Sequence, residues 1–490
     1  MPRSPTLEVL FAAGLDETDA SELHARINDR LDTDAVESWS RISREVLDPD
    51  LPAAVHQACF EAVYESWDDS RGPAPAWRPN TAEIAASNPG SALSHRGDWA
   101  TFHRWSVEEP DAFGRWVVET LGIVGETPPT AGVNLADGTE QARWLPGMQL
   151  NIAQSSFAGR DPNAEALVWQ REGGELQRMT IAELQARAGQ VARALKHLGI
   201  APGDAIAIDM PMTVESVVIY LGIVLAGAVV VSIADSFAAA EIATRLRISK
   251  ARAIFTQDVI LRGAKVLPLY ERVVEADAPR AIVLSAGTSL AVSLREGDLA
   301  WSELLGLAEP GPFEPVISPA DATTNILFSS GTTGDPKAIP WTHITPMKAA
   351  IDGWSHHDIR PGDVVAWPTN LGWMMGPWLI YASLLNSATI ALFEGSPLGR
   401  PFGGFVRDAG VTMLGVVPSL VKTWKASGEM AGLDWSAIRC FSSTGEASSP
   451  DDYLWLMARA GYKPVIEYCG GTEIGGGYIT GTVVQPQAPS

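Results

Sequence analysis

The chain has 490 residues, 46% of them hydrophobic, and its 36 Lys and Arg against 58 Asp and Glu give a formal net charge of −22. At this length about three domains are expected, and the apolar share supports a large buried core, which excludes disordered, collagen-like and disulfide-scaffold chains. A field of this sign repels nucleic acid and anionic lipid headgroups, yet a small anionic ligand stays compatible, because local backbone dipoles and one lysine outweigh a screened net charge.

Residues 1 to about 120 are rich in Trp, Asp and Glu and carry helical stretches at 34–47 and 111–121. The first apolar run is too short, and too soon followed by acids, for a secretory signal. The Pro/Gly/Thr segment 125–140 reads as a linker or long surface connection. Thr180-Ile181-Ala182-Glu183 is a capping box that opens a helix, and Gly199 is placed to end it. Segment 217–234 is as apolar as a membrane span, but Gly222 and Gly227 divide it and polar residues bound it, so it reads as a buried helix followed by a buried strand. Strands are expected at 205–210, 228–233, 253–256, 281–285, 325–329, 389–393, 411–417, 438–442 and 464–468. Helices fall between them, including 238–248 and one capped by Ser449-Pro450. This rhythm predicts an α/β fold of mostly parallel sheet flanked by helices, preceded by a helical leader. Ligands of such folds sit beyond the carboxyl ends of the strands.

The three cysteines, Cys59, Cys440 and Cys469, have no paired spacing, so they build neither a disulfide framework nor a zinc site. A reducing, cytoplasmic setting is expected, and Ala488-Pro489-Ser490 is not a Ser-Lys-Leu peroxisomal address. His356 and His357 lack ligand partners at metal spacing and read as ordinary core or surface histidines.

The most informative segment follows a predicted strand: Ser329-Ser330-Gly331-Thr332-Thr333-Gly334-Asp335-Pro336-Lys337. Small hydroxyl residues and glycines let backbone and side-chain donors close on a polyphosphate, with lysine as a point charge. It is not a Walker A loop, because Pro336 precedes Lys337 and no Ser or Thr follows it. The same composition also suits a solvated turn.

The run from Ser330 to Lys337 resembles the phosphate-loop signature of the AMP-forming acyl-CoA synthetase, adenylation-domain and luciferase superfamily. Two further segments agree in order. Thr444-Gly445-Glu446-Ala447 is similar to the family's adenine-pocket segment. Glu467-Tyr468-Cys469-Gly470-Gly471-Thr472-Glu473 is similar to its Tyr-Gly-x-Thr-Glu segment. Trp99 to Ser106 and Trp144 to Asn151 resemble the leader of acetyl-CoA synthetase-like enzymes, notably plant-type acyl-activating enzymes. The resemblance implies a leader and linker at 1–145 and a large ligase domain at 146–490. It implies activation of a carboxylic acid by ATP to acyl-AMP, followed by transfer to the thiol of coenzyme A. Ser329, Ser330, Gly331, Thr332, Thr333, Gly334 and Lys337 would hold the phosphates. Thr472 would meet the α-phosphate and Glu473 would bind Mg²⁺. Gly445, Glu446 and Ala447, with Glu467 to Thr472, would line the AMP site. Lys337, Thr472 and Glu473 would carry the catalysis.

Two departures bear on the pockets. Cys469 stands where most members have an aromatic ring beside the adenine, which weakens stacking unless Tyr468 substitutes for it. Gly470 stands where acetyl-CoA synthetases carry a tryptophan that shortens the acid pocket, so an acid larger than acetate is expected. Trp373, Met374 and Gly470 would form that pocket, with Trp367, Met375 and Trp378 near it, although such a cluster also suits a core. The chain ends at Ser490, soon after Glu473, where the family continues into the rest of the large domain and a mobile C-terminal domain carrying a lysine. The expectation is impaired activity alone, with the remaining portion either supplied by a separate chain or cut from this sequence. The alternatives are a non-catalytic nucleotide-binding fragment, and an adenylation domain loading a carrier-protein thiol, against which the leader argues.

Overall fold

The structure, a computed structural model, describes all residues except 264, 310 and 331–333. Helices fill the first 120 residues, from Leu7–Ala12 to Pro110–Thr120. Helix Ala35–Glu45 shows why: the Asp34 carboxylate accepts from Val36 N and Glu37 N at its start, satisfying otherwise orphaned donors. Trp39 and Ile42 then fall on its buried face.

That face does not close on the leader alone. Trp39, Val55, Cys59 and Val63 share one core with Phe402, Trp424 and Tyr462 of the later sheet region. The Trp39 ring meets Tyr462 edge-on at 5.2 Å, a pairing worth about 1 kcal/mol beyond its burial. His56 Nδ1 hydrogen-bonds the Tyr462 hydroxyl at 2.7 Å, and the Arg459 guanidinium donates to Pro49 O and Asp50 Oδ1, both at 2.7 Å. Segment 125–140 is likewise pinned: its strand Val133–Asn134 pairs with Arg143–Trp144, and Gly132 N donates to Asp111 Oδ1 at 2.7 Å.

Two sheets follow. The first has seven strands among the described residues, in the spatial order Leu299–Ala300, Arg280–Leu284, Ala253–Gln257, Ala205–Asp209, Val229–Ile233, Thr323–Ser329 and Lys337–Thr342. Only the last pairing is antiparallel. The second has eight, in the order Gly476–Thr480, Val465–Gly471, Cys440–Ser443, Met413–Val416, Val364–Ala366, Thr389–Glu394, Glu165–Arg171 and Gln177–Thr180. Here both edge pairings are antiparallel and the interior is parallel.

The expected elements fall into place for local reasons. Thr180 and Glu183 form a reciprocal capping box on helix Ile181–His197, with Thr180 N donating to Glu183 Oε2 at 2.8 Å. The apolar run becomes helix Val214–Leu225 and strand Val229–Ile233, every residue of both buried or nearly so, as a central parallel strand requires. Among the described residues no helix is long and apolar enough to cross a membrane. His357 is buried between Ser442 Oγ, 2.9 Å from its Nε2, and Asp352 O, 3.2 Å from its Nδ1. Burial, then the neighbouring His356, pushes its pKa down to about 3, so it is a neutral core group. His356 hydrogen-bonds Gly481 O at 2.9 Å.

Candidate active site

A cavity of about 1400 Å³ opens where the carboxyl ends of both sheets face each other. Asp235 and Gln257 reach it from the first sheet, and Trp367, Glu394, Val417, Thr444 and Gly470 reach it from the second. Each stands within two residues of the carboxyl end of a strand. This is where doubly wound folds bind ligands.

The glycine, hydroxyl and lysine segment spans the turn between strands Thr323–Ser329 and Lys337–Thr342, whose register sets Ser329 opposite Lys337. Gly331, Thr332 and Thr333 lie outside the described residues. Ser330 and Gly334 are exposed. Asp335 pairs with Arg247 at 2.7 Å, tying the turn to helix Ala239–Ser249. Glu473, one residue beyond the cavity-lining Thr472, faces this hairpin. The Ser329 hydroxyl first, and the Lys337 ammonium in addition, hold the Glu473 carboxyl below its ordinary value. The Ser329 hydroxyl lies near that carboxylate, but outside hydrogen-bond distance of it or of any other group among the described residues. Ser329, Lys337 and Glu473 are therefore brought together from segments well separated in sequence.

The second and third segments are joined to each other: Thr444 Oγ1 donates to Tyr468 O at 2.6 Å. Thr444, Gly445, Glu446, Gly470, Gly471 and Thr472 line the cavity, whereas Ala447, Glu467, Tyr468 and Cys469 do not. The Glu446 carboxylate accepts from Ser419 N and Ser419 Oγ, each at 3.0 Å, and so caps helix Pro418–Ser427. Tyr468 cannot replace the missing adenine-stacking ring, because its side chain is 1% exposed and points into the core. Its hydroxyl donates to Asp352 Oδ2 at 2.6 Å and accepts from Trp378 Nε1 at 3.0 Å. Cys469 is exposed and its thiol donates to Tyr478 Oη at 3.2 Å.

Of the aromatic and methionine cluster, Trp367, Met374 and Met375 form cavity wall, Trp373 is exposed at the rim, and Trp378 lies wholly in the core. Phe393, Phe402 and Pro397 add further apolar side chains to the cavity wall. At Gly470 the geometry departs from an open pocket: a Cβ there would come within 2.1 Å of Gly476 O. The direction in which a tryptophan would leave position 470 is filled by the returning strand.

Sequence reasoning missed the polar groups that bridge the cavity. Asn370 Nδ2 donates to Asp235 Oδ1 at 2.7 Å, Arg262 lies 3.4 Å from Asp235 Oδ2, and Arg272 Nη1 donates to Asp235 O at 3.0 Å. Burial raises the Asp235 carboxyl. Burial, and then the Asp235 charge, raises Asp209 well above the carboxylate range. An acid two residues beyond a wholly buried strand, as Asp235 is after Val229–Ile233, was the available signal.

Residues 155–490 match the AMP-binding enzyme family, and residues 4–65 match the SAM domain of probable acyl-activating enzymes 17/18. The chain is 50% identical over 478 residues to the probable peroxisomal acyl-activating enzyme 17 of Arabidopsis thaliana, covering 92% of this chain and 66% of that protein. It is 49% identical to hexanoyl-CoA synthase of Cannabis sativa, covering 98% of this chain and 70% of that protein. The solved acetoacetyl-CoA synthetase from Streptomyces lividans superposes with a TM-score of 0.76 at 29% identity, over 85% of this chain and 67% of that one. The chain thus spans only about two thirds of the length of these relatives.

The relatives correct the cytoplasmic expectation, since the Arabidopsis enzymes 17 and 18 are both named as peroxisomal. Free cysteines report a redox setting, whereas organelle addresses are short motifs read by receptors, so composition was the wrong evidence for an address. The fold, the order of the three segments and the match over most of the sequence agree: the chain belongs to the AMP-binding enzyme family.

Proposed function

We propose that this chain activates a carboxylic acid larger than acetate with ATP, forming acyl-AMP and then the thioester of coenzyme A. The observation that carries the reading is the meeting of Ser329, Lys337 and Glu473 next to Thr472, which itself lines a cavity with apolar side chains in its wall. The acid carboxylate attacks the α-phosphorus and pyrophosphate leaves; the coenzyme A thiol then displaces AMP. Such transfers depend on alignment and on charge stabilisation. Lys337 and the turn from Ser329 would hold the departing phosphates, Thr472 the α-phosphate, and the backbone at Gly445 and Glu446 the adenine.

A Mg²⁺ ion, which prefers carboxylate and phosphate oxygens and keeps several waters, fits Glu473 and the unpartnered Ser329 hydroxyl. Among the described residues no cluster of three or more acids, histidines or cysteines competes for it. When bound, it would neutralise charge on the phosphates. Met374, Met375 and Trp367 would border the acid, with Phe393 and Phe402 along its tail. A medium-length acid such as hexanoate is the candidate, in keeping with the hexanoyl-CoA synthase relative.

Exchange of labelled pyrophosphate into ATP, measured with acids from acetate to octanoate, tests the proposal. Exchange is expected to be strongest with acids near six carbons and weak with acetate. Exchange best with acetate would overturn the size assignment. ATP binding without exchange for any acid, even with a C-terminal domain added, would favour a nucleotide-binding fragment. Labelling of carrier protein instead of coenzyme A would favour the adenylation reading.

A further inference from the structure

We infer that Asp352 is a positioning residue, holding the hairpin that carries Thr472 and Glu473 against the Ser329–Lys337 hairpin. The inference rests on the function proposed above. Strands Val465–Gly471 and Gly476–Thr480 form the edge of the second sheet, and the turn between them bears both residues. Helix Thr345–His356 packs on this hairpin and presents to it two charged side chains one helical turn apart, Lys348 and Asp352.

Asp352 is 3% exposed. Its Oδ2 accepts from Tyr468 Oη at 2.6 Å and from Gly477 N at 3.0 Å, and its carboxylate is paired with Lys348 Nζ. Lys348 Nζ also donates to Gly477 O at 3.0 Å. One acid and one base thus bind both strands of the hairpin, on side chain and backbone alike. Gly476 permits the approach: a Cβ there would lie 2.5 Å from Asp352 Oδ2. Nearby, Trp341 Nε1 donates to Thr472 O at 2.8 Å, and Trp341 belongs to the strand that begins at Lys337. The two hairpins are therefore held in one frame, in which the Asp352 carboxylate joins the largest number of donors. A carboxylate in a buried site that accepts several donors and one ammonium keeps a single geometry. A displacement of about 1 Å at a reacting group costs up to roughly a hundredfold in rate.

The test compares wild type with D352N, Y468F, E473Q and the double variant D352N/E473Q. Hexanoate-dependent exchange of pyrophosphate into ATP, equilibrium binding of ATP with Mg²⁺, and Tm are measured for each. D352N is expected to lower the exchange kcat about ten- to a hundredfold, with the KM for ATP changed less than about threefold. Y468F should show a smaller loss in the same direction. The double variant should be no slower than E473Q alone, because a misplaced Glu473 and an absent carboxylate cost the same step. A D352N enzyme with kcat within twofold of wild type, or losses that multiply in the double variant, would overturn the inference and leave Asp352 a fold-stabilising residue. Absence of exchange in wild type would count against the proposed function instead. The cycle is then read in equilibrium affinity for ATP with Mg²⁺, where D352N is expected to weaken binding by no more than about threefold and that loss to vanish in the E473Q background; a loss that persists there would overturn the inference.

Discussion

Asn370 donates its amide to the Asp235 carboxylate at 2.7 Å, joining the carboxyl end of a strand in the first sheet to the loop after Val364–Ala366 in the second. Both residues line the cavity and both are buried. Asn370 Oδ1 also accepts from Gly372 N at 2.7 Å, so one side chain sets its own loop and the spacing between sheets. Asn370→Ala leaves a buried acceptor and a buried donor unmet, a loss of about 1–3 kcal/mol for each such group. Urea unfolding should show the loss, and Asp235→Asn, which keeps an acceptor in place, should lose less. Equal stability of Asn370→Ala and wild type would mean the bridge does not hold the sheets.

Position 470 was expected to report on acid size, and the structure changes that expectation. With Gly476 O only 2.1 Å from a Cβ, even Gly470→Ala must push the returning strand away. Gly470→Ala is expected to lower Tm and exchange activity together, and Gly470→Trp to do so more severely without a clean gain for acetate. Acid size is better probed at Met374, which is 9% exposed and lines the cavity. Met374→Trp should shift preference toward shorter acids at nearly unchanged Tm. A Gly470→Trp protein of normal stability that prefers acetate would restore the original view.

The parts of this fold that sequence made legible are those governed by neighbours along the chain. Thr180 and Glu183 are three residues apart, and the buried strands announce themselves by short, mostly apolar runs such as Val229–Ile233. The loop from Ser329 to Lys337 was legible because its composition is unusual within a few residues. Asp352 was not legible, because it is one acid in a helix and its partner Tyr468 is 116 residues away. The same applies to Asp235 with Asn370, 135 residues apart. The outward face of Gly470 was misjudged for a related reason: what blocks it is a backbone carbonyl, and residue identities do not reveal where carbonyls point.

Three buried histidines make the fold acid-sensitive. Burial, as the leading cause, lowers His56 and His343 to about 4 and His357 to about 3. An unfolded histidine titrates near 6.5, so below that value the unfolded chain binds protons that the folded chain refuses. The stability these groups allow is complete above about pH 6.5 and declines as pH falls toward their folded values. At pH 5 each such group costs about 2 kcal/mol. Asp209 acts in the opposite sense, because burial raises its carboxyl and the neutral form is favoured at low pH. A single variant separates the two contributions: the stability difference between pH 7 and pH 5 should be about 2 kcal/mol smaller for His357→Gln than for wild type. An identical difference in both would show that His357 is not held neutral.

Lys337 offers the sharpest test of the phosphate site, because it is exposed and its removal leaves no buried group unmet. Stability should therefore change by less than about 0.5 kcal/mol in Lys337→Ala. A hydrogen bond to a charged partner contributes about 1.5–3 kcal/mol, so ATP affinity should fall roughly ten- to a hundredfold, and AMP affinity much less. The contrast between the two nucleotides matters more than either value. A lysine that only neutralised Glu473 would, once removed, let that carboxylate repel both nucleotides to similar extents. A lysine that holds the departing phosphates distinguishes them. Isothermal titration of wild type and Lys337→Ala with ATP and with AMP decides it, and equal losses for both would move Lys337 from the phosphate site to a role supporting Glu473.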